Sequence, residues 1–302
     1  MDISVIFSTY RRLDTLTRTM ESLCQLNDNG LHWEVIVVDN AGDAATQQLI
    51  KNYSSKLPLT CIVETKPGKN NALNSAIEIA SGELFVFTDD DIIADQNWLQ
   101  EMWKGTQRWP DYMVFGGKIL PKFPAGKVPI DQLHPFFNGA YVVANWDIPE
   151  GEYDSFLVWG PNMAIRSAVF MQGYRFNTDI GPSGTNYIMG SETELTFRLK
   201  YAGMGSIYLP NSFVYHQIRL EQLQVNWLYG RAFRYGRSQA HANELPAQVV
   251  RIFNAPRFLI RKLFTLVFKR IIYCFSTNKK YDYGIQYWML RGNIHQYRKG
   301  AK

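Results

Sequence analysis

LFVFTDDD, residues 84–91, sets four apolar residues against three consecutive aspartates. A short, unbroken apolar run is what a strand buried on both faces requires. Three adjacent carboxylates at its end repel one another and are costly to desolvate, so such a cluster usually persists because a cation neutralises it. Hard oxygen donors suit Mg²⁺ or Mn²⁺, and Mg²⁺ completes its shell with waters and substrate phosphates. The triplet reads as a metal–diphosphate site, against the simpler alternative of a solvated strand-to-loop turn.

Three runs of the same kind precede it: ISVIF (3–7), EVIVV (34–38) and LTCIV (59–63). Between them the spacing predicts helices over 14–26, with Leu16, Met20 and Leu23 on one face, and over 70–80, with Leu73, Ile77 and Ala80 on one face. Strand alternating with helix predicts a doubly wound α/β sheet with right-handed crossovers, which binds ligands beyond the carboxyl ends of its strands. Polar clusters follow the strands: Ser8-Thr9, Asp39-Asn40 and the triplet itself. They converge on one edge. Asp39 stands where an acid bonds a ribose hydroxyl or a base edge, or simply forms a turn. Lys69, in KPGKNNALNSAI, lacks Walker spacing. A Pro-Gly turn with Asn70 capping the next helix, and a phosphate or base contact, are equal readings of it.

With 302 residues, 46% hydrophobic and 20% charged, the chain is of globular type, one large or two small domains. Collagen-like, low-complexity and disulfide-scaffold classes are excluded. Cys24, Cys61 and Cys274 are odd in number and far apart, which suits a reducing compartment and gives no zinc pattern. MDISVIFSTYRR reads as a first strand, not a secretory signal. Over 110–160 the alternation fails, with six prolines between 110 and 149, and long loops are expected. Trp146, Tyr153, Phe156 and Trp159 there read chiefly as core, with stacking on sugars the alternative.

The helical period returns in GSETELTFRLKYAG, with Ser191 as N-cap, Glu194 completing a capping box and Gly203 as the stop. Glu192, at the first helical position, has no such duty and projects toward a cleft, where it can act as general base. His216, after SFVY, can serve as a third metal ligand through neutral imidazole.

The overall charge of +5 is unevenly placed: residues 251–302 hold 12 Lys and Arg against one acid, Asp282. In PRFLIRKLFTLVFKRIIYCF the residues Ile260, Leu263, Phe264, Val267, Ile271 and Cys274 share a helical face, away from Arg261, Lys262, Lys269 and Arg270. No stretch reaches membrane-spanning length. A basic amphipathic helix over 256–275 is expected to lie on an anionic membrane surface, the alternative being packing on its own domain. Nucleic acid is not an expected partner, because the remainder of the chain is acidic.

Taken together, the residues resemble a family 2 glycosyltransferase of the GT-A fold, a Rossmann-like mixed sheet flanked by helices. VIFSTYRRLDTL, VVDN, NNALNSAI, FTDDDI, GPNMAIRSAVF, GSETELTFRL and VYHQI follow the family's order over about residues 1–240. The resemblance implies a catalytic domain over 1–240, with a nucleotide-sugar half (1–110) and an acceptor half (111–240), and a basic amphipathic helical extension over 241–302. It implies Mn²⁺ or Mg²⁺ on Asp89, Asp91 and His216, and a donor held by Thr9, Tyr10, Asp39, Lys69, Asn74, Asp89 and Asp90. Glu192 falls at the catalytic base. The implied reaction is inverting transfer from a nucleotide sugar, UDP-sugars favoured, to a saccharide or lipid-linked saccharide at the cytoplasmic face of a membrane. Two other readings of the same residues are a sugar nucleotidylyltransferase, which would want a Gly-rich loop that STYRRLDTL lacks, and a non-catalytic binding module.

Overall fold

Three strands, β1 (Ile3–Thr9), β2 (Trp33–Asp39) and β3 (Leu59–Val63), alternate with helices α1 (Leu13–Leu23), α2 (Ala44–Lys51) and α3 (Lys69–Ile77) before β4 (Leu84–Phe87). The computed structural model describes residues 1–300 apart from 28, 126, 128–133, 184–187 and 244–247. β1 to β4 pair in parallel, as the sequence predicts, and stand in the order β3-β2-β1-β4. The pleat sends alternate residues to two cores. Val5, Phe7, Val35 and Val86 pack with Leu16 and Met20 of α1, while Ile6, Ile36, Phe85 and Phe87 pack with Leu73 and Ile77 of α3. β3 departs from expectation: Thr60, Cys61 and Val63 are exposed, because β3 is an edge strand.

Beyond β4 come β5 (Ile92–Ala94), α4 (Trp98–Arg108), β6 (Val114–Lys122), α5 (Phe137–Tyr141), β7 (Gly151–Tyr153), β8 (Met163–Arg166) and α6 (Ser167–Met171). They are followed by α7 (Ser191–Tyr201) and β9 (Ser206–Gln217). β8 pairs antiparallel with β4, so the whole sheet is mixed rather than parallel throughout, in the order β3-β2-β1-β4-β8-β6-β9-β5. The loop expectation for 110–160 fails at β6. Gly116-Gly117 and Pro121 mask the pattern of this nine-residue strand, whose register against β9 shifts between Gly117 and Lys118. Residues 128–133, including Pro129, lie outside the described set.

Two compact units divide the chain. The first comprises 1–123, 141–185 and 191–218; the second comprises 124–140, 186–190 and 219–302. A boundary drawn at 240 falls inside the second unit, within α8 (Val225–Ala242). That unit adds the hairpin β10 (Arg251–Ile252) and β11 (Ala255–Pro256), then α9 (Arg257–Ile272) and α10 (Thr277–Lys299). α8 and α10 meet where Gly236 and Gly292 leave no room for a Cβ against the facing backbone. α9 packs through Leu259 and Leu266 against Leu290 and Ile294 of α10. The apolar face read from sequence is therefore split: Ile260 and Leu263 turn toward this core, while Phe264, Ile271 and Cys274 are exposed. Among the described residues no helix is long and apolar enough to cross a membrane.

Candidate active site

The turn between β4 and β5 carries Asp89, Asp90 and Asp91, and buried hydrogen bonds fix its shape. Thr19 of α1 donates its hydroxyl to the carbonyls of Asp90 and Ile92, at 3.0 and 2.8 Å. The Gln217 side-chain amide donates to the Ile92 carbonyl, and the Gln217 backbone N–H to that of Asp91. β5 pairs antiparallel with β9 so that Ile92 faces His216, which brings the imidazole to the triplet. His216 Nδ1 lies 2.7 Å from the Tyr141 carbonyl. Its only role there is as donor, so in the neutral ring the Nε2 lone pair faces Asp91 Oδ1, at 3.4 Å.

Each carboxylate of the triplet, and Glu192 beside it, has a cationic partner. Arg12, just past β1, reaches Asp90 and Asp91, each at 3.1 Å. The Lys69 ammonium, at the start of α3, lies 2.5 Å from Asp89 and 2.7 Å from Glu192. Burial works against the charge of Lys69, but the two carboxylates outweigh it and hold its pKa above the usual lysine range. Asp90 is 4% exposed. Burial pushes its carboxyl up to about 6, with Arg12 opposing and Asp91 adding to the rise. For His216 burial is outweighed by the Asp91 carboxylate and the Tyr141 carbonyl, and its pKa is raised.

The residues expected at a donor are distributed differently from the sequence reading. Thr9 donates its hydroxyl to Asp90 at 2.7 Å, so it positions that carboxylate. Tyr10 is exposed, with the Arg11 guanidinium 5.7 Å from its ring centre. Asp39 is fully buried and accepts from the N–H groups of Ala41 and Asp43 and from Gln47, shaping the loop after β2. The Asn74 amide donates to the Phe176 carbonyl and accepts the Phe176 N–H. Asn70 likewise donates to the carbonyls of Asn177 and Ile180. The capping box is corrected, because Ser191 lies inside α7 with an unpartnered hydroxyl and Glu194 pairs with Arg198 at 2.7 Å. Trp146 and Trp159 pack edge to face at 5.4 Å, while Phe156 is exposed.

Sequence reasoning missed Arg12. Its signal was the triplet's need for cations beside the Arg-Arg pair that follows β1. Gly160 was missed as well: a Cβ there would lie 2.5 Å from Glu192 Oε1, so the glycine makes room for that carboxylate.

Among the described residues no three His, Cys, Asp or Glu side chains converge into a ready-made metal site. The donor chemistry nevertheless fits a divalent cation. Asp89, Asp90, Asp91 and Glu192 gather four carboxylates about the Arg12 guanidinium and the Lys69 ammonium, and hard oxygen donors of this kind suit Mg²⁺ or Mn²⁺. An ion on Asp91, Asp89 and His216 would take the rest of its shell from water and phosphate oxygens.

A mixed sheet with helices on both faces, carrying a carboxylate cluster on one edge, has the architecture of the GT-A fold, and comparison with known proteins agrees. Residues 4–146 match the sequence model of glycosyl transferase family 2. The glucosyl-dolichyl phosphate glucuronosyltransferase of Haloferax volcanii is 23% identical over 244 residues, 79% of this chain and 76% of that protein. Glycosyltransferase AglE of the same organism is 22% identical, over 87% of this chain and 78% of its own. Among solved structures, mannosyltransferase PcManGT from Pyrobaculum calidifontis, in complex with GDP-Man and Mn²⁺, superposes with a TM-score of 0.63 at 16% identity, covering 97% of this chain and 86% of that one. S. aureus TarS 1–349 in complex with UDP-GlcNAc gives 0.58 at 17% identity, covering 99% and 92%. A longer TarS chain is covered over only 42% of its length. Residues 4–146 carry the likeness to glycosyl transferase family 2, the relatives that match over most of the chain are glycosyltransferases, and the protein is a glycosyltransferase.

Proposed function

We propose that the protein is a metal-dependent, inverting glycosyltransferase that moves a sugar from a nucleoside-diphosphate donor, UDP-sugars first, to a hydroxyl of a saccharide or lipid-linked saccharide. The observation that carries this reading is the Lys69 bridge. One ammonium touches both Asp89 and Glu192, so donor-side and acceptor-side carboxylates stand no more than about 5 Å apart. That spacing suits two groups flanking one reacting carbon. The GDP-Man and UDP-GlcNAc complexes of the fold neighbours support a nucleotide-sugar donor. The glucosyl-dolichyl phosphate named for one relative supports a lipid-linked acceptor. Three exposed free cysteines are compatible with a cytoplasmic site of action.

Glu192 takes the proton of the acceptor hydroxyl as its oxygen bonds to the anomeric carbon. The bond from that carbon to the diphosphate oxygen breaks on the opposite face, and the nucleoside diphosphate leaves with the bonding pair. One displacement inverts the centre. Lys69 and Arg12 hold the surrounding carboxylates in place and supply fixed positive charge near the leaving group. Asp39 serves the nucleobase through the loop it shapes. Mn²⁺ or Mg²⁺, held by Asp91, Asp89 and His216, supplies charge stabilisation to the diphosphate when bound. The test is nucleoside-diphosphate release from UDP- and GDP-sugars with Mn²⁺, using a lipid-phosphate saccharide as acceptor. Glu192→Gln is expected to lower the rate by at least about 10²-fold with donor binding retained. An unchanged rate removes Glu192 as the base.

A further inference from the structure

Helix α9 has two apolar sides. One, through Leu259 and Leu266, is buried in the core of its own unit. The other carries Phe264, Phe268, Ile271 and, just past the helix end, Phe275, at i, i+4, i+7 and i+11, and these are 71, 64, 66 and 98% exposed. Residues at those spacings line one stripe. Among the described residues, 21 large apolar side chains are exposed, and ten of them fall between 250 and 275. A concentration of this kind marks an interaction surface rather than the scattered apolar exposure of any protein.

The hairpin before the helix adds an independent observation. Its two-residue turn is Phe253-Asn254, with φ of 49° and 60°. Glycine and asparagine are at ease in that conformation, but a bulky aromatic residue there is uncommon. Phe253 is nonetheless at the tip, 83% exposed. The turn holds an aromatic ring out in water at a conformational cost.

Charge names the occupant. Arg257, Arg261, Lys262 and Lys269 are exposed on α9, and no acid occurs between residues 251 and 281. The one acid beyond, Asp282, is engaged by His134 and Gln286. A second copy of this face would bring cations against cations. A surface that is anionic outside and apolar just beneath meets both the cations and the phenylalanines. We propose that α9 and the Phe253 hairpin dock the protein on an anionic lipid bilayer, lying in the interface with the Phe264–Phe268–Ile271–Phe275 stripe inserted. This is independent of the donor and acceptor assigned above.

The test is flotation of the full chain with vesicles of phosphatidylcholine alone, or with about one third phosphatidylglycerol. The wild-type protein is expected to bind the anionic vesicles at least about tenfold better, with binding weakened by salt. Phe264→Ser with Phe268→Ser is expected to lose at least about tenfold of that binding, and Arg261→Gln with Lys262→Gln several-fold. Both variants change exposed side chains, and circular dichroism and donor binding should match the wild type. Wild-type protein left unbound by anionic vesicles would overturn the proposal. So would variants that bind like the wild type, or a wild-type dimer that the Phe variant turns into a monomer without any vesicle binding.

Discussion

Lys69 holds the balance of charge at the sheet edge. Removing its ammonium while keeping its stem takes from Asp89 and Glu192 the cation that they share. Breaking this partly buried ion pair costs about 1–3 kcal/mol, so Lys69→Met in chelator should lower Tm by about 5 °C. A Tm within a degree of wild type would show that the bridge is not present in solution. Asp90 makes the opposite contribution. Its carboxyl titrates near 6 in the fold against an ordinary 3.8, so the folded state binds the proton more tightly. Stability from this group is fully present below about pH 4 and is lost as pH rises through 6. Asp90→Asn removes that dependence. In chelator its Tm should gain on the wild type as pH goes from 4 to 7, and a constant difference across that range would contradict the assignment. Arg12 and Asn74 show the limit of reading single residues. Arg12 looks like solvated loop, and the hydrogen-bond partner of Asn74 lies 102 positions away; only the fold brings either pair together.

At the scale of elements, β1, β2 and β4 were legible because strands buried on both faces read as near-continuous apolar runs, with Ser4 a buried polar residue inside β1. β6 was not, since Gly116-Gly117 carries no side-chain pattern and its place depends on β8 and β9. The start of α7 was misread by one position at Ser191, yet Glu192, the base proposed above, still falls in the first turn. The turn at Trp159–Gly160 decides how that acid is held. Gly160→Ala would set a Cβ within 2.9 Å of three Glu192 side-chain atoms and move the carboxylate. Since misplacement by about 1 Å costs about 10²-fold, kcat should fall by that order with the donor Kd unchanged. Equal loss of donor affinity would mean that the change disturbs the sheet edge rather than the base.

For the molecule as a whole, the sequence separates an acidic body from a basic C-terminal region, and the structure resolves two compact units. In the first unit, residues from the β1–α1 loop, α3, the β4–β5 turn, α7 and β9 gather four carboxylates with Arg12, Lys69 and His216. The most direct measurement is titration calorimetry of UDP- and GDP-sugars into the full chain, with Mn²⁺ and with chelator, on wild type and Asp91→Asn. One class of donor should bind at a single site with Mn²⁺, at least about tenfold more weakly in chelator, and the metal dependence should vanish in the variant. Binding that is as tight in chelator and untouched by Asp91→Asn, or no binding by the folded protein to any donor, would contradict the metal–nucleotide-sugar site.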